Sequence, residues 1–208
     1  MSLYFCKKKI MNYSIYIEST PNPKVMKFVS NRMLADKSLE FLKENDAKKI
    51  PMIYKIFSLP FVESVFLSTN FISITKVDTI EWEEVTLELR NFITRILNED
   101  EIKNYSKNIQ LVERKNLESS ITEEEVNKEL TDIENNIIGL LDEYIRPAVE
   151  GDGGAIEFDS YDNGIVKVIL KGACSGCPSS TATLKQGIES LLIQKLGNEI
   201  KEVLAING

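Results

Sequence analysis

Two cysteines near the end of the chain are the side chains best suited to do chemistry. Cys174 and Cys177 lie three positions apart in the stretch "LKGACSGCPSS" (170–180). A thiol pair at this spacing can be a redox couple, half of a metal site, or two small side chains packed in a loop. Both come just before a predicted helix start at Ser179. Unpaired backbone N–H groups there favour a thiolate, so we expect lowered thiol pKa values.

Glycine and proline shape the chain around this pair. Gly172 and Gly176 allow backbone amides to approach the sulfur atoms, and Pro178 pre-sets the turn into the helix. Upstream, a second glycine-rich stretch connects a predicted helix to a predicted strand. This stretch contains Gly151, Asp152, Gly153 and Gly154. We expect its backbone to approach and support the cysteine loop; the alternative is a plain tight connection between helix and strand.

The sequence contains no histidine, which excludes several kinds of site. A Ser-His-Asp triad, a Cys-His protease pair, a Cys2His2 zinc site and a Rieske-type cluster all require it. Histidine is also the commonest general acid or base near neutral pH, so its absence disfavours much ordinary acid–base catalysis. No catalytic residue is predicted, and we expect that the protein is not an enzyme.

The cysteine count favours a site shared between two chains. Two thiolates cannot complete a tetrahedral four-sulfur site, and the third cysteine, Cys6, lies in a presumed N-terminal extension. Two chains together supply four thiolates, the number that a [4Fe–4S] cluster takes. Two alternatives stay open at this point: a monomeric thiol–disulfide oxidoreductase and a structural zinc-bridged dimer.

Composition restricts the partners and the compartment. The formal net charge is −7, and no basic surplus is available to meet nucleic-acid phosphates. No apolar run is long enough to span a bilayer, so neither a nucleic acid nor a membrane is an expected partner. The first residues lack both a secretory apolar stretch and Arg- and Ser-rich transit character. Three cysteines make no disulfide framework, so we expect a reducing, cytoplasmic location.

The first half of the chain mixes strands with helices. Alternating apolar residues predict strands over 13–19 and 24–30, separated by a turn at "TPNPK" (20–24). A hairpin is predicted around residues 69–70. Helices are predicted over 36–45, over 47–59 with a start near Ile50, and over 81–100 with Trp82 in the apolar face.

The second half predicts the element order α-β-β-(cysteine loop)-α-β. Its first helix is expected over about 123–146, with Thr122 as N-cap and Pro147 as its end. A hairpin turning at "YDNG" (161–164) follows, and after the cysteine loop come a helix ending at Gly197 and a last strand.

These elements predict an α+β protein with two small α/β-mixed domains joined by a polar linker. The expected boundaries are an extension over 1–10, a first domain over 11–100, a linker over 101–122 and a cysteine-containing domain over 123–208.

Two pairs of segments carry a resemblance to a known family. "RPAVEGDGGAIEF" (146–158) and "LKGACSGCPSSTATLKQGIESLL" (170–192) resemble the C-terminal domain of NifU, also called the Nfu domain. "STPNPKVMKF" (19–28) and "VESVFLSTNFISITK" (62–76) resemble the Nfu N-terminal domain. The chain as a whole is thus similar to iron–sulfur scaffold or carrier proteins of the NifU family.

This resemblance implies a function for the cysteine pair. Cys174 and Cys177 would bind a [4Fe–4S] cluster shared between two chains, with a [2Fe–2S] form as a precursor still open. The dimer would receive the cluster from upstream assembly machinery and pass it to apo iron–sulfur proteins. The central cysteine-rich and sulfide-assembly domains of longer NifU proteins are absent from this sequence, which favours late carriage over primary assembly. The role of the first domain stays open, with docking onto acceptors as a hypothesis.

Overall fold

The computed structural model describes residues 12–99, 130–175 and 178–207, without the side chains of 178–180. The helices and strands fall into two groups along the chain. The first group comprises β1 (Ile15–Ser19), β2 (Val25–Ser30), β3 (Leu39–Phe41), α1 (Pro51–Phe57), β4 (Val62–Leu67), β5 (Phe71–Lys76) and α2 (Trp82–Asn98). The second group comprises α3 (Asp132–Leu140), α4 (Arg146–Gly151), β6 (Gly154–Asp162), β7 (Ile165–Gly172), α5 (Pro178–Leu196) and β8 (Glu202–Asn207).

The first domain is a five-stranded antiparallel sheet with helices on one face. Its strand order is β1-β2-β5-β4-β3, and the predicted hairpin is the β4–β5 pair. The alternation of each strand sends every second side chain, such as Phe28, Ile72 and Ile74, into a core closed by α1 and α2. Pro51 opens α1 with Ile50 as N-cap, and Trp82 opens α2 at the edge of the same core, both as predicted.

The helix predicted over 36–45 is wrong. The segment contains the short edge strand β3 and a single turn of 3-10 helix at Glu44–Ala47. Leu39 to Phe41 pair with Val65 to Leu67 of β4, because that edge of the sheet offers unpaired backbone groups. Tertiary pairing therefore overrides the local helical preference of this stretch.

The second domain has the predicted element order. β6 and β7 form an antiparallel hairpin that turns at Asn163 and Gly164, both with positive φ. β8 adds to β7 in parallel, which requires the crossover helix α5. Gly197, with φ of +65°, ends α5 as predicted. Among the described helices, none is long and apolar enough to cross a bilayer.

The predicted helix end at Pro147 is wrong, because the chain stays helical to Gly151. A π-helical turn at Leu141–Ile145 lies between α3 and α4, and the Arg146 N–H donates to the Leu141 carbonyl, five residues back. The change of helical register places Pro147 in the first turn of α4, where the missing N–H costs no intrahelical bond.

Two other sequence predictions lie outside the described residues. These are the extension over 1–10 and the linker over 101–122 with its Thr122 cap. The continuous helix predicted over about 123–146 is wrong, because Leu130 and Thr131 are not helical and Thr131 is the N-cap of α3. Within the described part, a capping box opens α3: the Thr131 hydroxyl accepts from the Glu134 N–H, and the Glu134 carboxylate accepts from the Thr131 N–H.

The two domains contact each other through the sheet face that α1 and α2 do not cover. Phe66 and Phe71, from β4 and β5, pack on Ala155 at the start of β6. Both rings are almost fully buried, with 2% and 3% of their surface exposed. The first-domain sheet is therefore covered on one face by its own helices and, around Phe66 and Phe71, by the second domain on the other.

Candidate functional site

The cysteine loop leaves β7 through a tight turn. Gly172 has φ of +65°, a backbone conformation that favours glycine. Its carbonyl accepts from the Ser175 N–H at 3.1 Å and from the Ser175 hydroxyl at 2.8 Å. On the other side, the Thr181 hydroxyl of α5 donates to the Cys174 carbonyl at 3.2 Å. Cys174 is thus held between the end of β7 and the first turns of α5.

The Cys174 side chain lies in the second-domain core, with 6% of the residue exposed. Gly154 makes room for it. A Cβ at position 154 would lie 2.8 Å from the Cys174 Sγ and 2.6 Å from the Lys171 carbonyl, both too short for a real contact. The close approach predicted between the two glycine-rich stretches therefore occurs at Gly154.

The expected lowering of the Cys174 pKa does not occur. Burial raises the pKa of the thiol to about 11, and the Asp152 carboxylate acts in the same direction. The helix N-terminus lies nearby in sequence, but the thiol points into the apolar core, where a thiolate would be poorly solvated. In this form of the protein Cys174 is a neutral, sequestered thiol.

The stretch "EGDGG" is both a connection and a support. Gly153, with φ of +84°, presents its carbonyl to the Ala173 N–H at 3.2 Å. Asp152 is the C-cap of α4. A Cβ added at Gly151 would meet no atom of the described residues within 4 Å, so a side chain has room there. Close approach thus accounts for Gly153 and Gly154, and a plain helix-to-strand connection accounts for Gly151.

Residues of the first domain hold the cysteine loop, and no sequence pattern indicated these contacts. The Asn22 amide donates to the Ala173 carbonyl at 3.2 Å. The Glu40 carboxylate accepts from the Gly172 N–H at 2.8 Å. Asn22 belongs to "TPNP", whose turn structure is also confirmed: its side-chain oxygen accepts from the Lys24 N–H at 3.1 Å. The only available signal was an asparagine between two prolines, which is typical of any turn.

A cleft of about 380 Å³ gives access to Cys174. Its walls come from both domains: Pro21 from the first, and Val149, Asp152 and Leu184 from the second. Pro21 of the first domain thus forms part of the wall of the cleft at Cys174.

Several predicted site residues lie outside the described part of the chain. These are Cys177, Gly176 and the side chain of Pro178, together with Cys6. Within residues 12–99, 130–175 and 178–207, no three cysteine, aspartate or glutamate side chains converge as a mononuclear metal site would require. The predicted pairing of Cys174 with Cys177 at a cluster thus stays a prediction.

Comparison with known proteins identifies both domains. The family model described as "Scaffold protein Nfu/NifU N terminal" matches residues 15–100, and the model of the NifU-like domain matches residues 137–204. The chain belongs to the Nfu/NifU family. The two matches follow the same order as the two domains of the structure, and the resemblance seen in the sequence is confirmed.

Relatives of this Nfu-type chain span most of its length. It is 32% identical to NifU-like protein 4, mitochondrial, of Arabidopsis thaliana over 91% of this chain and 64% of that protein. It is 34% identical to a Drosophila willistoni protein named NFU1 iron-sulfur cluster scaffold homolog, mitochondrial, over 86% of this chain and 58% of that protein. The chain thus spans about three fifths of the length of these curated relatives.

Among solved structures, the chain is similar to a NifU-like protein from Saccharomyces cerevisiae. The identity is 26% and the TM-score 0.38, over 46% of this chain and 90% of that one.

The expected cytoplasmic location is wrong. The Arabidopsis and Drosophila relatives, and a human relative 30% identical to this chain, are all named as mitochondrial proteins. Few cysteines without a disulfide framework indicate reducing conditions, which do not define one compartment.

Proposed function

We propose that this Nfu-type protein is an iron–sulfur cluster scaffold and carrier. Cys174 and Cys177 of one chain, with the same pair of a second chain, would ligate one [4Fe–4S] cluster as cargo. The observation that supports this most directly is the position of Cys174. It lies in a glycine-built loop at the start of α5, in the domain that matches the NifU-like family model.

The ligand number supports sharing between chains. A [4Fe–4S] cluster takes four thiolates, and one CxxC pair supplies two. A cluster at a dimer interface is released when the chains part, which suits delivery to apo iron–sulfur proteins. The donor would be an upstream assembly system, and a [2Fe–2S] form could precede the [4Fe–4S] form. The relatives' names, which include the words iron-sulfur cluster scaffold, support the same class of function.

The oxidoreductase alternative requires an attacking thiol that ionises near neutral pH. Burial raises the pKa of the Cys174 thiol, which opposes disulfide exchange and cluster ligation alike as long as the side chain stays buried. Scaffolding also requires no catalytic residue, consistent with the absence of histidine from the sequence.

The test is anaerobic reconstitution with iron and sulfide, followed by size exclusion and assays of both elements. We expect a brown dimer with about four iron and four sulfide per two chains, as four-thiolate ligation requires. A colourless monomer that cycles between dithiol and disulfide would instead indicate a redox protein. A colourless zinc dimer that unfolds when the metal is chelated would indicate a structural site.

Single cysteine variants give the matched control. Cys174→Ser and Cys177→Ser should each abolish cluster content while circular dichroism stays that of a folded protein. Cys6→Ser should retain the full content, because Cys6 lies far from the pair in sequence. Full cluster content in either Cys174→Ser or Cys177→Ser would contradict the proposal.

A further inference from the structure

The outer face of the first-domain sheet, together with the β1–β2 turn, contacts the glycine-rich stretch and the cysteine loop. We call it the docking face; it comprises Asn22, Lys27, Glu40, Phe66, Phe71 and Ser73. Strand pairing places four of these residues side by side, because Lys27 is opposite Ser73 and Phe66 is opposite both Ser73 and Glu40. Except at Glu40, no more than 7% of any of these residues is exposed, a degree of burial that is unusual for Lys27, Ser73 and Asn22.

The polar groups of the docking face bind main-chain atoms of the second domain. The Ser73 hydroxyl donates to the Gly153 carbonyl at 2.6 Å, and the Lys27 ammonium donates to the Gly151 carbonyl at 3.1 Å. With the bonds from Asn22 and to Glu40, four hydrogen bonds reach the glycine-rich stretch and the cysteine loop. The face therefore recognises the backbone path of these two loops.

The apolar part of the docking face requires glycine on the other side. A Cβ at Gly172 would lie 2.8 Å from Cδ1 of Phe66, and a Cβ at Gly153 would lie 2.9 Å from the Ser73 hydroxyl. Phe71 lies under the Lys27 ammonium, with 4.8 Å between the nitrogen and the ring centroid. The two surfaces thus fit closely only because residues 153 and 172 have no side chain.

These contacts lie directly beside Cys174. The first domain holds the N–H of residue 172 and the carbonyl of residue 173, and Pro21 forms one wall of the cleft that leads to the sulfur. A shared cluster requires the cysteines of a second chain to ligate iron atoms of the same cluster that the Cys174 sulfur ligates. In the docked arrangement Pro21 of the first domain borders the cleft at Cys174, and the hydrogen bonds from Asn22 and to Glu40 fix the path of the loop.

We propose that the first domain holds the cysteine loop closed, and that it must release the loop before the loop can ligate a shared cluster. The inference rests on the proposed function, since it concerns the regulation of the same site. The docked form is a cluster-free state in which Cys174 is protected. Release exposes the thiol and frees the docking face at the same time.

The test uses the full-length chain and two variants that weaken docking in different ways. Asn22→Asp keeps the oxygen that accepts from the Lys24 N–H and replaces the donor to the Ala173 carbonyl by an oxygen that repels it. Phe71→Ser removes an aromatic ring that packs on the second domain and lies outside the main core of the first. Tyr16→Ser is the matched control, because Tyr16 is an aromatic residue of the same sheet with 63% of its surface exposed.

The first readout is the alkylation rate of Cys174 in the apo-protein at fixed pH, followed by peptide mass spectrometry. Both docking variants should react at least about tenfold faster than wild type, the change that ~1.4 kcal/mol of lost docking free energy produces. Tyr16→Ser should react as wild type does. The second readout is the initial rate of cluster uptake during reconstitution, which should rise in the same two variants.

The outcomes separate this inference from the proposed function. Alkylation rates equal to those of wild type in both docking variants, with normal cluster uptake, would overturn the inference and leave the carrier function standing. Faster alkylation without faster cluster uptake would also overturn it, because release would then not limit ligation. If no form of the protein takes up iron and sulfide, the carrier function fails, while faster alkylation still supports closure of the loop by the docking face.

Discussion

The two faces of the first-domain sheet are built from different materials. The inner face sends apolar side chains, such as Phe28 and Ile74, against α1 and α2. The outer docking face mixes two aromatic rings with a lysine, a serine and a glutamate, and it meets the glycine backbone of the second domain. Both faces are buried where they are packed, but the outer face also buries polar groups, which would hydrogen-bond to water if the domains separated.

The composition of the two faces indicates which interface can open. Separating the inner face from its helices would expose a large apolar area, with nothing gained in return. Separating the docking face would expose two rings, while its polar groups would exchange protein partners for water at a small net cost. Mixed polar contacts of this kind are typical of interfaces between domains that move. The contacts of the inner face therefore keep the first domain folded, whereas the contacts of the outer face can open and close again.

The strongest contrast in the free energy of unfolding should come from replacing one phenylalanine of each face. Phe28→Ala should lower the free energy of unfolding by about 3–5 kcal/mol, because it leaves a cavity in a fully buried core. Phe71→Ala should lower the free energy of unfolding by less, because the two domains can separate around the gap and water can enter it. Urea denaturation followed by Trp82 fluorescence measures both.

Tyr16→Ala is the control for these measurements and should change stability by no more than about 0.5 kcal/mol, as exposed positions do. Equal losses for Phe28→Ala and Phe71→Ala would mean that the docking face is as much a part of the folding core as the inner face.

The second contrast is between two glycines, of which Gly154 lies against Cys174 and Gly139 does not. Gly154→Ala should destabilise the second domain by about 1–3 kcal/mol, because the new methyl group would overlap the Lys171 carbonyl and the Cys174 sulfur. Gly139→Ala in α3 is the matched control. Its added carbon would have no atom of the described chain within 4 Å, so it should be neutral or stabilise the helix by up to about 1 kcal/mol. Thermal unfolding of both variants checks the difference, and a silent Gly154→Ala would contradict the close approach of the two loops.

The smallest expected effect is a pH dependence of docking. Burial raises the pKa of Glu40 above its usual 4.5, and the Glu157 carboxylate adds to this, while the Gly172 N–H and the Lys171 ammonium oppose it. A carboxyl group with a higher pKa when docked binds its proton more tightly in that state. Docking is therefore favoured as the pH falls and weakens as the pH rises from 4.5 through the raised pKa.

Glu40→Gln should remove this dependence, because the amide keeps an oxygen for the Gly172 N–H without a charge to desolvate. The measurement is the hydrogen-exchange protection factor of the Gly172 amide, which corrects for the intrinsic effect of pH on exchange. We expect the variant to be better protected than wild type at neutral pH, by less than about tenfold. A pH dependence that persists in Glu40→Gln would assign it to another group.

Most elements could be predicted because their signals are local. The alternation in β1 and β2, the asparagine–glycine turn at 163–164 and the glycine end of α5 each depend on residues close in sequence. Two of the wrong helix predictions failed for different reasons. Residues 39–41 form a strand because they pair with the distant strand β4. Pro147 is accommodated locally, by a π-helical turn that no sequence pattern signalled.

The site was predicted in part for the same reason. A cysteine loop beside a glycine-rich support follows from residue types and spacing, and Gly154 lies against Cys174 as that support requires. The raised pKa of Cys174 depends on which way its side chain points, and burial of the thiol is set by the three-dimensional core. The docking contacts join residues at least 80 positions apart, such as Ser73 and Gly153 or Asn22 and Ala173, and a single sequence does not pair them.

The docking face and the cysteine loop belong to one chain, and this has a consequence for concentration. Closing the loop is a unimolecular event, helped by an effective concentration in the millimolar range that a tether can provide. Joining two loops around a cluster is bimolecular and depends on how much protein is present. Dilution should therefore shift the balance toward the closed monomer, and crowding of carriers toward the cluster-bridged pair. At low protein concentration the chain would then keep its Cys174 thiol buried, and at high protein concentration it would expose the thiol for cluster binding.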